Sequence, residues 1–226
     1  MDLILAIQQL RDSFVTTKDS LIQKHPTWDK VKDARLTLLS KCVNVLNSTQ
    51  LGMVHIQFNL TQRQWWTSIS KSPIADADIQ IYLNEFDMFI KLGFLQFLFA
   101  SIESSLRLIV KAIDPTACSG GTAEFKSIYS FLLKRLTLQK YEALLDLLRC
   151  IRNTIHNNGV YFHRSGNNKT VVHNGITYTF EIGKSVDFVN WQFLFDLLPE
   201  LRQMIIEVVE SNEVSSIDTI VDPFAK

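Results

Sequence analysis

The chain has 226 residues, 46% hydrophobic and 20% charged, with 8 Gly and 5 Pro, which excludes disordered, collagen-like and low-complexity classes. Lys+Arg equals Asp+Glu at 23 each, so overall charge marks no general polyanion binder and any such binding must come from a local patch. Three scattered cysteines, Cys42, Cys118 and Cys150, without CxxC spacing, predict neither a disulfide framework nor a zinc site, and fit a reduced, cytoplasmic setting.

The N-terminus carries Asp2 where a signal peptide needs positive charge, so no secretion signal is expected. Leu3, Ile7, Leu10 and Phe14 mark a first amphipathic helix to about Lys24. After His25-Pro26, Thr27 reads as the N-cap of a second helix through Leu36, Leu39, Val43 and Leu46, giving an N-terminal hairpin. From Gly52 to Ser70 the apolar residues fit neither helical nor strand period, and the stretch is assigned to helix. Trp65-Trp66 there is read as buried aromatic surface before a base-stacking platform.

From Ile79 to Ile113 apolar residues point all round the helical wheel, as expected at the centre of a bundle. Asp87, Lys91 and Gln96 interrupt its most apolar part, which is expected to fall short of the roughly 18 apolar residues of a membrane span. A loop with Gly120-Gly121 is predicted from Thr116 to Thr122, then helices from about Ala123 to Arg135 and Gln139 to Asn157. Asn157-Asn158-Gly159 suits a left-handed cap, and residues 169–181 read as a β-hairpin turning at Asn174-Gly175. A last helix is expected from about Phe188 past Val208, with Pro199 as a kink. The fold class is therefore mostly α: a helical bundle with an N-terminal hairpin and one small β-hairpin. One domain over residues 1–226 is expected, divided into an N-terminal extension (1–72), a core bundle (73–212) and a loosely ordered tail (213–226).

The common nucleotide, zinc-protease, serine-hydrolase and calcium-loop motifs are absent, and no metal or cofactor is expected. Attention falls on the end of the helix running to Asn157. Taking Leu144 as zero on its wheel, Leu148, Ile151 and Ile155 lie within about 40° and form the buried stripe. Arg152, His156 and Arg149 fall at about 80°, 120° and 140°, with Asn153 at about 180°. An imidazole titrating near neutrality beside guanidinium forks suits phosphodiester chemistry. Residues 134–169 hold seven Lys or Arg against two acids, a basic zone that the neutral total conceals. The alternative is structural, since Arg and His in a last helical turn also satisfy free carbonyls. His163 and His173 lie on the following loop and hairpin, where they either join the site or remain structural. Glu103 and Arg107, at i, i+4 on the apolar helix, form either a local pair or a support in which Glu103 orients Arg152 or His156.

Arg152-Asn153 followed by His156 at a helix end resembles the HEPN (higher eukaryotes and prokaryotes nucleotide-binding) superfamily, whose signature is Arg, four to six residues, then His. Three residues separate Arg152 from His156 and six separate Arg149 from it, so either arginine is a candidate. The resemblance spans roughly residues 78–211 and implies a HEPN-like bundle and a homodimer whose paired motifs cleave RNA without a metal, by ribose 2′-hydroxyl attack on the adjacent phosphate. It implies proton transfer by His156, phosphate charge stabilisation by Arg152 and Arg149, and orientation by Asn153. Relatives of this kind serve toxin-antitoxin or antiviral defence systems, so an antitoxin or regulatory partner is also implied; others are non-catalytic dimerisation or binding modules. An unrelated helical interaction protein is the reading that needs no family.

Overall fold

The structure, a computed structural model, describes residues 2–117 and 124–225. Cys118 and the Gly120-Gly121 part of the expected loop lie outside them. The fold is mostly α-helical with one two-stranded antiparallel sheet.

Helices α1 (Leu3–Lys24) and α2 (Ala34–His55) pack on each other as the N-terminal hairpin. Asp2 caps α1 by accepting the N–H groups of Ile4 and Leu5, donors that the first turn leaves unpaired. The second helix starts later than Thr27, because the chain first makes turns in which the His25 and Trp28 rings stack 3.9 Å apart. Asp33 is its cap, accepting the N–H of Arg35 at 3.0 Å. The ambiguous stretch after Gly52 is the end of α2, a π-helical turn at Ile56–Leu60, and α3 (Arg63–Ile69). A widened turn shifts side chains off a 3.6-residue period, which is why the apolar pattern there matches no template. Trp66 is buried, its indole N–H donating to the Leu60 carbonyl at 2.6 Å.

Helix α4 (Asp76–Ile113) runs 38 residues, about 57 Å at the helical rise. Phe94, Leu98, Ile102 and Ile109 enter the core and the helix packs on α2 and on elements that follow it, whereas Tyr82, Phe89 and Phe97 are exposed, so apolar residues all round the wheel do not mean burial all round. Contrary to the expectation from its charges, it is by length and composition apolar enough to cross a membrane; half of the qualifying window is buried within the fold.

Helix α5 (Phe125–Arg135) and a 3-10 turn at Gln139–Tyr141 lead into α6 (Glu142–Ile155). The predicted left-handed cap is present: Asn158 and Gly159 have φ of 53° and 86°, and the Gly159 N–H donates to the Thr154 carbonyl. Strands β1 (Lys169–His173) and β2 (Ile176–Phe180) pair with Val171 opposite Tyr178. Asn174 and Gly175 both have positive φ, as a type I′ turn requires. Asn190 caps α7 (Trp191–Glu210), which starts three residues after the expected Phe188, and Pro199 lies inside that helix without ending it. The short α8 (Asn212–Ser215) follows.

The segment after Glu213, expected to be loosely ordered, is docked through residue 222. Val214, Ile220 and Asp222 are buried, and Asp33 and Val221 form an antiparallel bridge. Arg35 donates to the carbonyls of Val214 and Ile217 at 2.9 and 2.8 Å, while Asp222 accepts from Lys41 and Thr37. Buried side chains from α1, α2, α4 to α8, the hairpin and this tail form one continuous apolar cluster.

Candidate functional site

Helix α6 positions the motif. Leu144, Leu148 and Ile151 are buried on its core side, as the wheel requires, which turns Arg149, Arg152 and Asn153 towards a cleft of about 460 Å³. Phe99, Glu103 and Arg107 of α4 line it too, together with Glu124 and Phe125. The loop after α6 completes the lining with Phe162, His163 and Arg164. This loop is held in place because Tyr161 exchanges backbone bonds with Lys184 and Gly183, and Val160 bridges to Ser185. The cleft therefore gathers four arginines against two glutamates from segments spread over 66 residues.

The two motif arginines differ in state. Arg149 donates from Nε and Nη2 to Asp146 at 3.0 and 2.6 Å, and Asp146 also accepts from Tyr129 at 3.0 Å and pairs with Lys169 at 2.9 Å. Burial opposes charge on both partners, yet the mutual hydrogen bonds prevail, holding the Asp146 carboxyl below the usual range and the Arg149 guanidinium above its own. Arg152 makes no hydrogen bond or ion pair among the described residues; its Nε is buried without a partner, and its guanidinium carbon lies 5.5 Å from the centre of the Phe99 ring. A desolvated guanidinium edge without an acceptor is costly, and an anion in the cleft would supply one.

Of the two readings of Glu103, the structure shows the local pair and not the contact with Arg152 or His156: its carboxylate takes Arg107 Nε and Nη2 at 3.1 and 2.5 Å. That local i, i+4 geometry is the nearest available partner, and it fixes Arg107 on the cleft wall. At the outer rim Arg164 meets Glu124 at 2.6 Å, an exposed pair of small energetic weight.

His156 is exposed at the end of α6 and does not line the cleft. Its backbone N–H donates to Thr154, but among the described residues its imidazole makes no bond to the helix carbonyls. It lies one turn beyond Arg152 and Asn153, at a spacing that sets Cβ atoms about 5–6 Å apart. His163 lies inside the cleft, and the Ser165 N–H donates to its Nδ1 at 3.2 Å, so in the neutral ring the proton sits on Nε2. The sequence leaves the place of His163 open and does not single out Arg164, since it is the pairing of residues 159–161 with 183–186 that brings that loop back to α6. His173 pairs instead with Glu200 at 3.0 Å, away from the cleft. Burial pushes the Cys150 thiol up to about 11 and Cys42 up to about 12, so neither is a ready nucleophile. Among the described residues no three His, Cys, Asp or Glu side chains gather as a metal site would require.

Buried carboxylates give the fold a defined acid limit. In Asp222, as in Asp146, burial raises the pKa but donors outweigh it, here Lys41 and Thr37, and the net direction is down. A lowered folded pKa adds stability above the unfolded value of about 3.9 and loses it as pH falls through the folded value. Melting temperature is expected to change little from about pH 7 to about pH 5 and to drop below about pH 4, with Asp146→Asn shallower in that limb when followed by circular dichroism.

Comparison with family models, curated proteins and solved structures finds no match to this chain.

Proposed function

We propose that the protein is a HEPN-like endoribonuclease that holds an RNA phosphate in the α4–α6 cleft and cleaves without a metal ion. The observation that carries this reading is Arg152, a half-buried guanidinium with an unpartnered Nε in a cleft that also holds Arg107, Arg149 and Arg164. In the proposed reaction the ribose 2′-oxygen attacks the adjacent phosphorus and its proton passes to a base. The 5′-oxygen leaves and takes up a proton, giving a 2′,3′-cyclic phosphate and a 5′-hydroxyl. Arg152 is assigned the phosphorane charge, Asn153 substrate orientation, and His156 proton transfer along the same flank of α6. Arg149 supports the site electrostatically while bonded to Asp146.

A second reading, a non-catalytic RNA-binding module of the same type, is favoured by the position of His156 outside the cleft lining. Incubating the full chain with labelled single-stranded and structured RNAs in EDTA separates the two. Cyclic phosphate ends, lost in His156→Ala, are the expected result. Retained cleavage in His156→Ala but not in His163→Ala would move the proton-transfer role to His163. RNA retention without cleavage would establish the binding module, and neither retention nor cleavage would sink both.

A further inference from the structure

The cleft leaves unused the solvent-facing side of α4. At about 100° per residue, Tyr82, Phe86, Phe89, Gly93, Phe97, Ala100 and Ser104 fall within about 80° of one another. Phe89 and Phe97 are 70% and 68% exposed, and with Gly93 they line an apolar groove of about 360 Å³ against α2, whose wall includes Asn44 and Ser48. A Cβ at Gly93 would meet nothing within 4 Å, so the groove is open at that point. Contiguous exposed aromatics of this kind mark an interaction surface.

The order of residues on this face suits a second copy of the same helix. If two α4 helices lie antiparallel with the two-fold axis at Gly93, positions equidistant from it meet. Phe89 then faces the partner's Phe97, Phe86 the partner's Ala100, and Tyr82 the partner's Ser104. The bulky N-terminal half meets the small C-terminal half, while a parallel arrangement would set each residue against itself and leave the small half with a gap. Such a contact is isologous and closes as a dimer. Tyr82, Phe89 and Phe97 alone expose on the order of 400 Å², about half of the ~800 Å² per partner in a standard interface, and the α2 wall borders the same groove.

We propose that the chain is a homodimer through this face, α4 against α4, antiparallel about Gly93. Phe99, the α4 residue of the cleft nearest Gly93, is six residues away, so each cleft begins about 9 Å along the helix from the axis, on opposite sides of it, and each is built from one chain. This assembly is independent of the ribonuclease reading, and it differs from the composite site across two protomers that the family resemblance implies.

Gly93→Cys under mild oxidation is expected to give a covalent dimer that the unmutated chain under the same oxidant does not. Phe97→Glu is expected to weaken association more than about tenfold in sedimentation, while its melting temperature matches that of the unmutated chain at concentrations where both are monomeric. Cross-linking through His156→Cys in place of Gly93→Cys would overturn the proposal in favour of a face at the motif. A full chain that is monomeric at every concentration would also overturn it, whether or not it sediments with phosphatidylcholine vesicles; sedimentation would assign the face to a membrane.

Discussion

Asp33→Ala is expected to lower the unfolding free energy by about 3–5 kcal/mol. The side chains of Asp33 and Arg35 are both fully buried, and they meet through Oδ2 and Nη2 at 2.6 Å and Oδ1 and Nε at 2.8 Å. Removing the carboxylate leaves a guanidinium without a counter-charge inside the fold, and it also removes the α2 cap to the Arg35 N–H. Arg35 lies 3.8 Å from the centre of the Trp28 ring and donates to tail carbonyls, so the loss extends to the contact holding residues 214–222 against α2. Urea unfolding should show a lower midpoint, with limited proteolysis cutting the tail first. A double change to Asp33→Leu and Arg35→Met is expected to recover part of the loss, since it removes both charges together. A single-mutant loss below about 1 kcal/mol would mean that water reaches the pair.

That clamp also shows where sequence legibility ends. The β-hairpin, the Asn158-Gly159 cap and the flank of α6 could be read directly, because each depends on residues a few positions apart and on local φ preferences. The docked tail could not, since Arg35 finds the Val214 carbonyl 179 residues away and the tail itself has little apolar periodicity. The exposed face of α4 was misread because hydrophobicity alone does not distinguish a buried side from one left at the surface. In the candidate site, the sequence places Arg149, Arg152 and Asn153 near one another. It does not show that Asp146 takes one arginine and leaves the other, nor that a pairing at residues 183–186 delivers His163 and Arg164.

Arg149→Ala and Arg152→Ala are expected to separate stability from binding. Loss of Arg149 strips Asp146 of two charge-assisted bonds, leaving Lys169 and Tyr129 to hold a mostly buried carboxylate, and should cost about 2–3 kcal/mol. Loss of Arg152 breaks no hydrogen bond among the described residues and relieves a buried Nε. Its stability should stay within about 1 kcal/mol, the scale of the contact with the Phe99 ring. RNA affinity should behave the opposite way. One phosphate contact fewer is expected to weaken Arg152→Ala about tenfold and to reduce the slope of log affinity against log salt by about 0.7 for single-stranded RNA. In Arg149→Ala the folded fraction should retain most of the affinity, because that guanidinium already spends two donors on Asp146. Filter binding across a salt series, with unfolding curves on the same preparations, measures both. Unchanged affinity and slope in Arg152→Ala would remove the residue on which the cleft's RNA assignment rests; a loss confined to Arg149→Ala, measured on folded protein, would transfer that assignment to the arginine beside Asp146.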